Sequence, residues 1–249
     1  MKLHPLATKF AAVAESYERG RPEYAPAAVG ALAAELGIGA NSLVLDLAAG
    51  TGKLTRALVA AGLDVIAVEP QAELREVLVT SVGEHRVIDG LAEQIPLDDG
   101  SVDAVTVADG FHWFDQAAAL AEIRRVLRPG GGLALVATLP DWSSASWAED
   151  LGKLMEEMRP EHPFFDGPPW QEAVRSAGGW TEPREVRVTT NQPARPDLMA
   201  DYLGSISWVA GLPDPERGET LRRIDEIVAA GETPDVLPIH VVIGLTSLA

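Results

Sequence analysis

The fold of this chain is decided by the stretch from Leu43 to Thr55, LVLDLAAGTGKLT. Branched apolar residues run into Asp46, the glycine turn Gly50-Thr51-Gly52 follows, and a segment with helical spacing comes next. A buried strand, a glycine turn and a helix in this order are typical of the first unit of an α/β nucleotide-binding fold. Glycine lets the turn approach a ligand closely, and Asp46 lies near the strand end where such folds bind ligands.

The composition sets limits on the function. The 249 residues include 20 basic and 37 acidic side chains, which argues against nucleic-acid binding and is typical of a soluble surface. Because the chain has no cysteine, it has no thiolate metal site. His162 and Asp166 alone are too few ligands for a metal site of another kind, so we expect no metal. No apolar run is long enough for a membrane span, and the chain start lacks a signal-peptide pattern, so we expect a cytoplasmic protein.

Strands alternate with helices through the first half of the chain. The predicted strands are Ser42–Ala48, Asp64–Glu69, Arg86–Asp89, Val102–Ala108 and Leu133–Leu139. The predicted helices before and between them are Thr8–Tyr17, Pro26–Leu36, 53–62, Gln71–Ser81 and Asp115–Leu127, with the last one broken by the glycines of 128–132. This alternation predicts an α/β fold with a doubly wound, Rossmann-like parallel sheet.

The pattern changes after Pro140. A tryptophan-rich helical region, Trp142–Trp180, precedes a predicted strand near Arg184–Asn191, and the last predicted strand is Leu237–Leu248. Two predicted helices, Asp197–Ala210 and Pro215–Ala230, form an insertion between these strands. We therefore expect a single domain over 1–249, with an N-terminal helical lid at 1–40, a cofactor-binding core at 41–140, and a substrate cap with the last two strands at 141–249.

Four further motifs follow the glycine turn in a fixed order. They are Val68-Glu69-Pro70 at the end of the second strand, LAEQIP at 91–96, ADGFHWF at 108–114 and LRPGG at 127–131. An acid such as Glu69, 19 residues after Gly50, is placed to accept hydrogen bonds from both hydroxyls of a ribose. Together these motifs resemble the class I S-adenosylmethionine-dependent methyltransferases of type 11. The segments SYERGRPEY at 16–24 and FHWFD at 111–115 are similar to the trans-aconitate methyltransferase-like members.

The resemblance implies a seven-stranded sheet whose seventh strand is antiparallel, with S-adenosylmethionine bound across the carboxyl ends of the first four strands. It implies a set of cofactor-binding residues on this chain: Tyr17, Arg21, Asp46, Ala48, Gly50, Thr51, Gly52, Glu69, Pro70, Leu91, Ala92, Glu93, Ala108 and Asp109. Within this set the glycine turn packs against the methionine part and Glu69 holds the ribose. The sequence departs from the family pattern at Leu91, where many members have an acid that contacts the adenine. We expect Glu93 to make this adenine contact instead.

Other nucleotide-binding readings fit less well. A phosphate-binding loop requires glycine in place of Leu47 and Ser or Thr in place of Leu54. A dinucleotide fingerprint requires a small residue in place of Thr55, although the spacing to the acid does not exclude it. Two alternatives to a methyltransferase therefore stay open at this stage: a protein of the same fold that binds the cofactor without transferring methyl, and a nicotinamide-dependent oxidoreductase.

The candidate catalytic residues are His112 and Asp109, which follow the fourth strand. His112 is suited to remove a proton from a phenol, amine or carbon acid, whereas a carboxylate acceptor needs no base. The alternative for His112 is a hydrogen bond within its own loop. His240 lies inside the last predicted strand, where a structural role is the simpler interpretation.

Aromatic residues outside the core motifs indicate where the acceptor binds. Tyr17 is placed to cover the sulfonium, or else only packs on the apolar stripe, and Arg21 suits a carboxylate. Tryptophans cluster after the cofactor core and suggest a hydrophobic acceptor. The alternative for each of them, including Trp147 and Trp170, is a place in the hydrophobic core. The expected substrate residues are Tyr24, Trp113, Trp142, Tyr202 and Trp208. We expect a small-molecule methyl acceptor as partner, and a monomer or homodimer.

Overall fold

A computed structural model describes residues 3–83, 86–231 and 236–249, and a seven-stranded sheet is its central element. The strands in chain order are β1 Leu43–Leu47, β2 Asp64–Val68, β3 Val87–Ile88, β4 Val102–Ala108, β5 Leu127–Pro140, β6 Arg184–Pro193 and β7 Val236–Ser247. Their order in the sheet is β3-β2-β1-β4-β5-β7-β6. The predicted seven-stranded, Rossmann-like architecture is confirmed.

The order of the strands reverses at β1. This strand pairs in parallel with β2 on one side and with β4 on the other, and β3 and β5 extend the parallel pairing outward. Open parallel sheets bind ligands in the crevice outside the carboxyl ends of the strands at such a reversal. The loops that follow β1 and β4 are therefore the expected position of a ligand-binding site.

Helices connect the strands. They are α1 Ala14–Gly20, α2 Pro26–Leu36, α3 Lys53–Ala60, α4 Ala72–Val82, α5 Gln116–Val126, α6 Ser146–Met158, α7 Pro163–Asp166, α8 Trp170–Ala177, α9 Pro196–Gly204, α10 Ser207–Ala210 and α11 Asp214–Ala230, with 3₁₀ helices at Ala7–Val13 and Phe111–Trp113. Among the residues described, none of these helices combines the length and the apolar character that a bilayer span requires.

The sheet is covered on both faces, because successive residues of a strand point to opposite sides. Leu45 and Leu47 of β1 belong to an apolar cluster that includes residues of α5 and α8. Val44, the residue before Leu45, belongs to a second cluster with residues of α2 and α3. This arrangement explains why the strands read as continuous apolar runs in the sequence.

The chain forms two compact units. The helical unit comprises Met1–Pro22, Leu139–His162 and Thr189–His240, and the sheet unit comprises Glu23–Thr138, Pro163–Val188 and Val241–Ala249. The helical unit has an apolar cluster of its own, built from α6, α9, α10, α11 and the start of β7. The division that we expect from the sequence, with boundaries near 40 and 140, stays a prediction.

Local sequence signals account for the element boundaries that were predicted best. Helix α2 begins at Pro26, whose fixed φ suits the first helical position, and ends before Gly37. Gly37 has φ 66°, a left-handed conformation that glycine adopts without a Cβ clash. Strand β4 also has its predicted bounds, Val102–Ala108.

Three predicted elements were wrong in more than their last one or two residues. The segment Arg128–Gly132 does not precede the fifth strand but lies inside it, because β5 begins at Leu127 opposite Val102. Between this pair and the next, Ala104 with Gly132, β5 has four residues where β4 has one, and Arg128 closes the bulge by donating to Asp103 at 2.6 Å.

The other two differences concern helices of the helical unit. The first predicted helix begins as a 3₁₀ helix over Ala7–Val13 and becomes α-helical only from Ala14. The predicted helix Asp197–Ala210 is two helices, because α9 ends at Gly204 and Ile206 is extended before α10.

Glycine at position 20 is required by the contact of α1 with α9. A Cβ at Gly20 would lie 2.2 Å from the backbone nitrogen of Tyr202, a distance that the two helices accommodate only by moving apart. We expect Gly20→Ala to lower the free energy of unfolding by about 2 kcal/mol or more, the scale of overpacking in a tight contact. Gly30→Ala on α2 is the control, because a Cβ there meets nothing within 4 Å.

The control should raise the free energy of unfolding by about 0.5–1 kcal/mol, the usual difference between alanine and glycine within a helix. Denaturant unfolding of the two variants measures both changes. Equal stability of Gly20→Ala and the wild type would show that α1 and α9 are not held in this close contact.

Candidate active site

The turn after β1 has an unusual backbone. Ala48, Gly50 and Gly52 have positive φ values of 57°, 59° and 90°. A Cβ at Gly52 would lie 2.4 Å from Leu78 Cδ1, so this glycine is needed for packing as well as for conformation. A Cβ at Gly50 would meet nothing within 4 Å, so the backbone of the turn borders open space. Ala48 holds a left-handed conformation that costs a residue with a Cβ about 1–2 kcal/mol.

Asp46 is buried beneath this turn. Its carboxylate accepts hydrogen bonds from the hydroxyls of Thr55 on α3, at 2.6 Å, and Thr106 on β4, at 3.0 Å. Burial raises the pKa of the Asp46 carboxyl to about 6, and the two threonine hydrogen bonds act in the opposite direction. The side chain thus joins β1 to its neighbouring strand and to the first turn of α3, which supports a positioning role for Asp46.

Glu69 follows β2 and is bound to the same turn. Its Oε2 accepts from the Gly50 N–H and its Oε1 from the Gln71 N–H, both at 2.9 Å. Only 3% of the residue is exposed. Burial raises the pKa of the Glu69 carboxyl to about 7, against the two N–H donors and the positive charge of Arg75, and the negative charge of Asp46 raises it further.

The residues around Glu69 are fixed by Arg75 of α4. Its Nη1 donates to the carbonyl oxygens of Glu69, at 2.9 Å, and Pro70, at 2.7 Å. The same nitrogen lies 3.1 Å from Asp89 Oδ1, after β3. Arg75 therefore joins the chain after β2 to the chain after β3, and it holds the predicted cofactor residue Pro70 through its backbone.

Two cations of α3 lie next to the glycine turn. Lys53 is 5% exposed, and its Nζ lies 2.5 Å from Glu23 Oε1. Arg56 lies 3.4 Å from the same oxygen and also donates to the Thr51 carbonyl oxygen at 3.1 Å. The sequence did not single out Lys53 or Glu23, because the two are 30 positions apart and no local pattern connects them.

The loop after β3 contains the predicted adenine contacts. Leu91 and Gln94 form an isolated antiparallel bridge, and Ala92 between them is buried. The Glu93 carboxylate accepts from the backbone N–H of Asp115, the residue that caps α5, at 2.9 Å. The side chain of Glu93 thus has a structural partner, and its contact with adenine stays a prediction.

Asp109 follows β4 with φ 50°, a conformation uncommon for a residue with a Cβ. Its carboxylate accepts from the backbone N–H of Thr138, at 3.0 Å, and from the Thr138 hydroxyl, at 2.7 Å. The backbone N–H of Asp109 donates to the Val136 carbonyl oxygen at 2.8 Å. Asp109 therefore fixes the loop after Ala108 to the neighbouring strand β5.

His112 lies in the 3₁₀ helix Phe111–Trp113, three residues after Asp109, and is half-buried. Its ring centroid is 4.4 Å from that of Trp113 and 5.2 Å from that of Phe164. His112 thus lies beside two aromatic rings, and one of them belongs to Phe164, which the sequence did not indicate.

Tyr17 and Arg21 belong to the helical unit. The Arg21 guanidinium carbon lies 5.2 Å from the ring centroid of Tyr17 and 5.3 Å from that of Tyr202, and its Nε donates to Ser205 Oγ at 3.1 Å. These three predicted site residues therefore come together through cation–π contacts. Tyr202 is 2% exposed and is a core residue of this unit.

The other expected substrate residues pack against apolar clusters. Trp142 and Trp208 are half-buried against the core of the helical unit, and Trp142 lies against Gly152 of α6. Tyr24 is half-buried against the sheet-unit cluster that includes α2 and α3. For these residues a role in acceptor binding stays a prediction.

Two buried carboxyls with raised pKa values make the stability of the fold depend on pH. For Asp46 and Glu69 the folded pKa lies above the ordinary values of 3.8 and 4.5, so between about pH 4 and 7 the folded state binds more protons than the unfolded state. The free energy of unfolding should therefore fall as the pH rises through this window, by up to about 1.4 kcal/mol per pH unit for each group.

Glu69→Gln removes one of these protons and should make the fall less steep between pH 5 and 7. Glu76→Gln, at an exposed glutamate on α4, controls for the loss of one negative charge. Denaturant unfolding at several pH values measures the slopes. A slope in Glu69→Gln as steep as in the wild type would show that Glu69 is not a buried, protonated group at pH 5.

Comparisons with known proteins identify relatives of this chain. A family model described as a methyltransferase domain matches residues 45–135, which include the glycine turn, Glu69 and His112. An uncharacterized methyltransferase of Mycobacterium tuberculosis is 38% identical over 224 residues, which are 90% of this chain and 87% of the relative. An uncharacterized methyltransferase of Schizosaccharomyces pombe is 33% identical over 218 residues, 85% of this chain and 84% of the relative.

The fold has solved counterparts as well. The structure of a proposed methyltransferase from an antibiotic biosynthesis pathway of Anabaena variabilis superposes with a TM-score of 0.64, at 22% identity, over 93% of this chain and 99% of that chain. At this identity the similarity concerns the fold alone. The resemblance to the trans-aconitate-like branch stays a prediction. The relatives that align over nine tenths of the chain show that it belongs to the S-adenosylmethionine-dependent methyltransferases.

Proposed function

We propose that this methyltransferase binds S-adenosylmethionine at the carboxyl ends of β1–β4 and methylates an oxygen, nitrogen or carbon atom of a small, hydrophobic or carboxylate-bearing molecule. The observation that carries the proposal is the Glu69 carboxylate, buried after β2 and bound to the Gly50 N–H at 2.9 Å. It places an acceptor of hydroxyl hydrogen bonds beside a turn whose backbone borders open space at Gly50.

The residues present fit the cofactor on several counts. A carboxylate has about four acceptor positions, and the N–H groups of Gly50 and Gln71 occupy two of those on Glu69, which leaves two for the ribose hydroxyls. The Thr51 hydroxyl oxygen is buried and has no hydrogen-bond partner among the described residues. A buried hydroxyl without a partner is costly, and a polar group of the methionine part would supply one.

The negative charge beneath the turn also suits this cofactor. Asp46 and Glu69 are buried at the ends of adjacent strands, and the negative charge of Asp46 raises the pKa of the Glu69 carboxyl. A sulfonium is a cation, so its charge would favour the ionised form of both carboxylates. Tyr17 and Arg21 form one cation–π cluster within the helical unit, and their role in cofactor binding stays a prediction.

The cofactor supplies a methyl group that is already activated for displacement. The protein's part is therefore to hold the acceptor atom in line and to exclude water. We assign proton removal to His112, since it follows the strand end at Ala108 and lies among aromatic rings. Asp109 fixes the preceding loop through Thr138, so we assign it the positioning of His112 rather than proton transfer.

The role of His112 is tested by the kinetics of His112→Ala with phenols, amines and carboxylic acids as acceptors. For acceptors that must lose a proton, kcat should fall by roughly 10²–10⁴-fold, the usual contribution of a general base. For carboxylates, only KM should rise, because no base is required. His240→Ala, at a half-buried histidine of β7, is the control and should change neither parameter.

Release of S-adenosylhomocysteine measures turnover, and its affinity for each variant is determined separately. The affinity should be the same in wild type and His112→Ala. Unchanged kcat and KM in His112→Ala with every acceptor class would leave His112 a structural residue of its loop.

A further inference from the structure

Two neighbouring phenylalanines beside His112 are exposed to solvent. Phe164 and Phe165 of α7 are 38% and 51% exposed, and Val59 is the other large apolar side chain exposed to this degree among the described residues. The ring centroid of Phe164 lies 5.2 Å from that of His112 and 4.9 Å from that of Phe165. Both contacts are edge-to-face, the geometry that aromatic rings prefer.

These rings are held by the local backbone. Helix α7 packs against the 3₁₀ helix Phe111–Trp113, and the Gly167 N–H donates to the Pro163 carbonyl oxygen at 3.1 Å. A Cβ at Gly167 would lie 2.4 Å from that oxygen, so only glycine closes this turn. Exposed aromatic rings forgo the stabilisation that burial gives, and a contiguous exposed pair is typical of a binding surface.

The charge of the two segments restricts what binds there. Residues 109–116 and 163–167 contain three aspartates, at positions 109, 115 and 166, and neither Lys nor Arg. Asp115 caps α5 by accepting from the Ala118 N–H, and its own N–H is bound by the carboxylate of Glu93. The formal charge of these two segments favours a cation over an anion, and the faces of aromatic rings also attract a cation.

We propose that Phe164 and Phe165 bind the aromatic ring of the methyl acceptor, and that this acceptor is uncharged or positively charged rather than a carboxylate. The inference rests on the proposed function and narrows its acceptor class. In this proposal the two phenylalanines determine which acceptor binds. His112, which follows β4 and contacts Phe164, receives the proton. With a phenol, the oxygen forms the bond to the methyl carbon, the carbon–sulfur bond breaks with its electron pair left on sulfur, and the phenolic proton passes to His112.

Fluorine NMR observes the proposed contact without turnover. The chain has five phenylalanines, so protein made with 4-fluorophenylalanine gives five resonances, and Phe164→Leu and Phe165→Leu assign the two in question. The probes are phenol, benzylamine, benzoate and cyclohexanol, each titrated in the presence of S-adenosylhomocysteine. Phenol and benzylamine should shift the resonances of Phe164 and Phe165 at concentrations about tenfold lower than benzoate or cyclohexanol do. Benzoate carries an unfavourable negative charge, and cyclohexanol lacks the aromatic ring.

The leucine variants test the role of the rings. Phe164→Leu and Phe165→Leu should each weaken phenol binding by about three- to tenfold and raise KM with little change in kcat, whereas Phe165→Tyr, which keeps the ring, should bind as the wild type does. Val59→Ala is the control for loss of an exposed apolar side chain and should bind phenol unchanged. Binding of benzoate or cyclohexanol with the same affinity as phenol would overturn the inference. So would the absence of any shift of the two resonances with every probe.

Failure of this inference is distinguishable from failure of the proposed function. Calorimetric titration with S-adenosylhomocysteine alone reports on the cofactor site, which contains neither phenylalanine. Absence of that binding would contradict the proposed function. Normal binding together with unshifted resonances of Phe164 and Phe165 would contradict only the assignment of the acceptor.

Discussion

The candidate site depends on one carboxylate. Glu69 is almost completely buried, and its two oxygens accept from the N–H groups of Gly50 and Gln71, which belong to the turns after β1 and β2. Burying an ionised carboxylate is costly, and the raised pKa of about 7 shows that these hydrogen bonds offset the cost only in part. Glu69 lies at the edge of the sheet where the strands end. A ligand bound there through hydroxyl groups would stabilise the ionised form of this carboxylate.

A second buried acid supports the first. Asp46 accepts from Thr106 and Thr55, so its side chain joins the end of β1 to the neighbouring strand and to the helix after the glycine turn. Beyond it, the backbone at Ala48 and Asp109 has positive φ, in the loops that follow β1 and β4. Strained backbone of this kind persists where surrounding contacts hold it, and it is concentrated at functional sites. Here Thr138 supplies that support for Asp109.

The sequence predicted the elements whose signals are local. Pro26 and Gly37 bound α2 by their own conformational preferences. The motifs indicated Gly50 and Glu69 as separate site residues, and the structure adds a hydrogen bond of 2.9 Å between them. The start of β5 was misjudged because its pairing with β4 is a tertiary contact that overrides the glycines. Local rules likewise gave no reason for α9 and α10 to separate before Ile206.

The supporting residues of the site were missed for a related reason. Thr106 is 60 residues from Asp46, and Phe164 is 52 residues from His112, so no local pattern connects either pair. A polar residue inside an apolar strand is the one signal that marks Thr106, since buried hydroxyls need a partner. For Phe164 the neighbouring Phe165 suggests a core position, and only the exposure of both rings indicates otherwise.

Calorimetric titration with S-adenosylhomocysteine, in buffers of different ionisation enthalpy, tests most directly whether Glu69 holds the ribose. With a ligand-free pKa of about 7, binding at pH 6 should release close to one proton, and binding at pH 8 should release little. Glu69→Gln should bind about 1.5–3 kcal/mol more weakly, the scale for hydrogen bonds to a charged group, without this proton release. Equal affinity and equal proton release in wild type and Glu69→Gln would contradict the account.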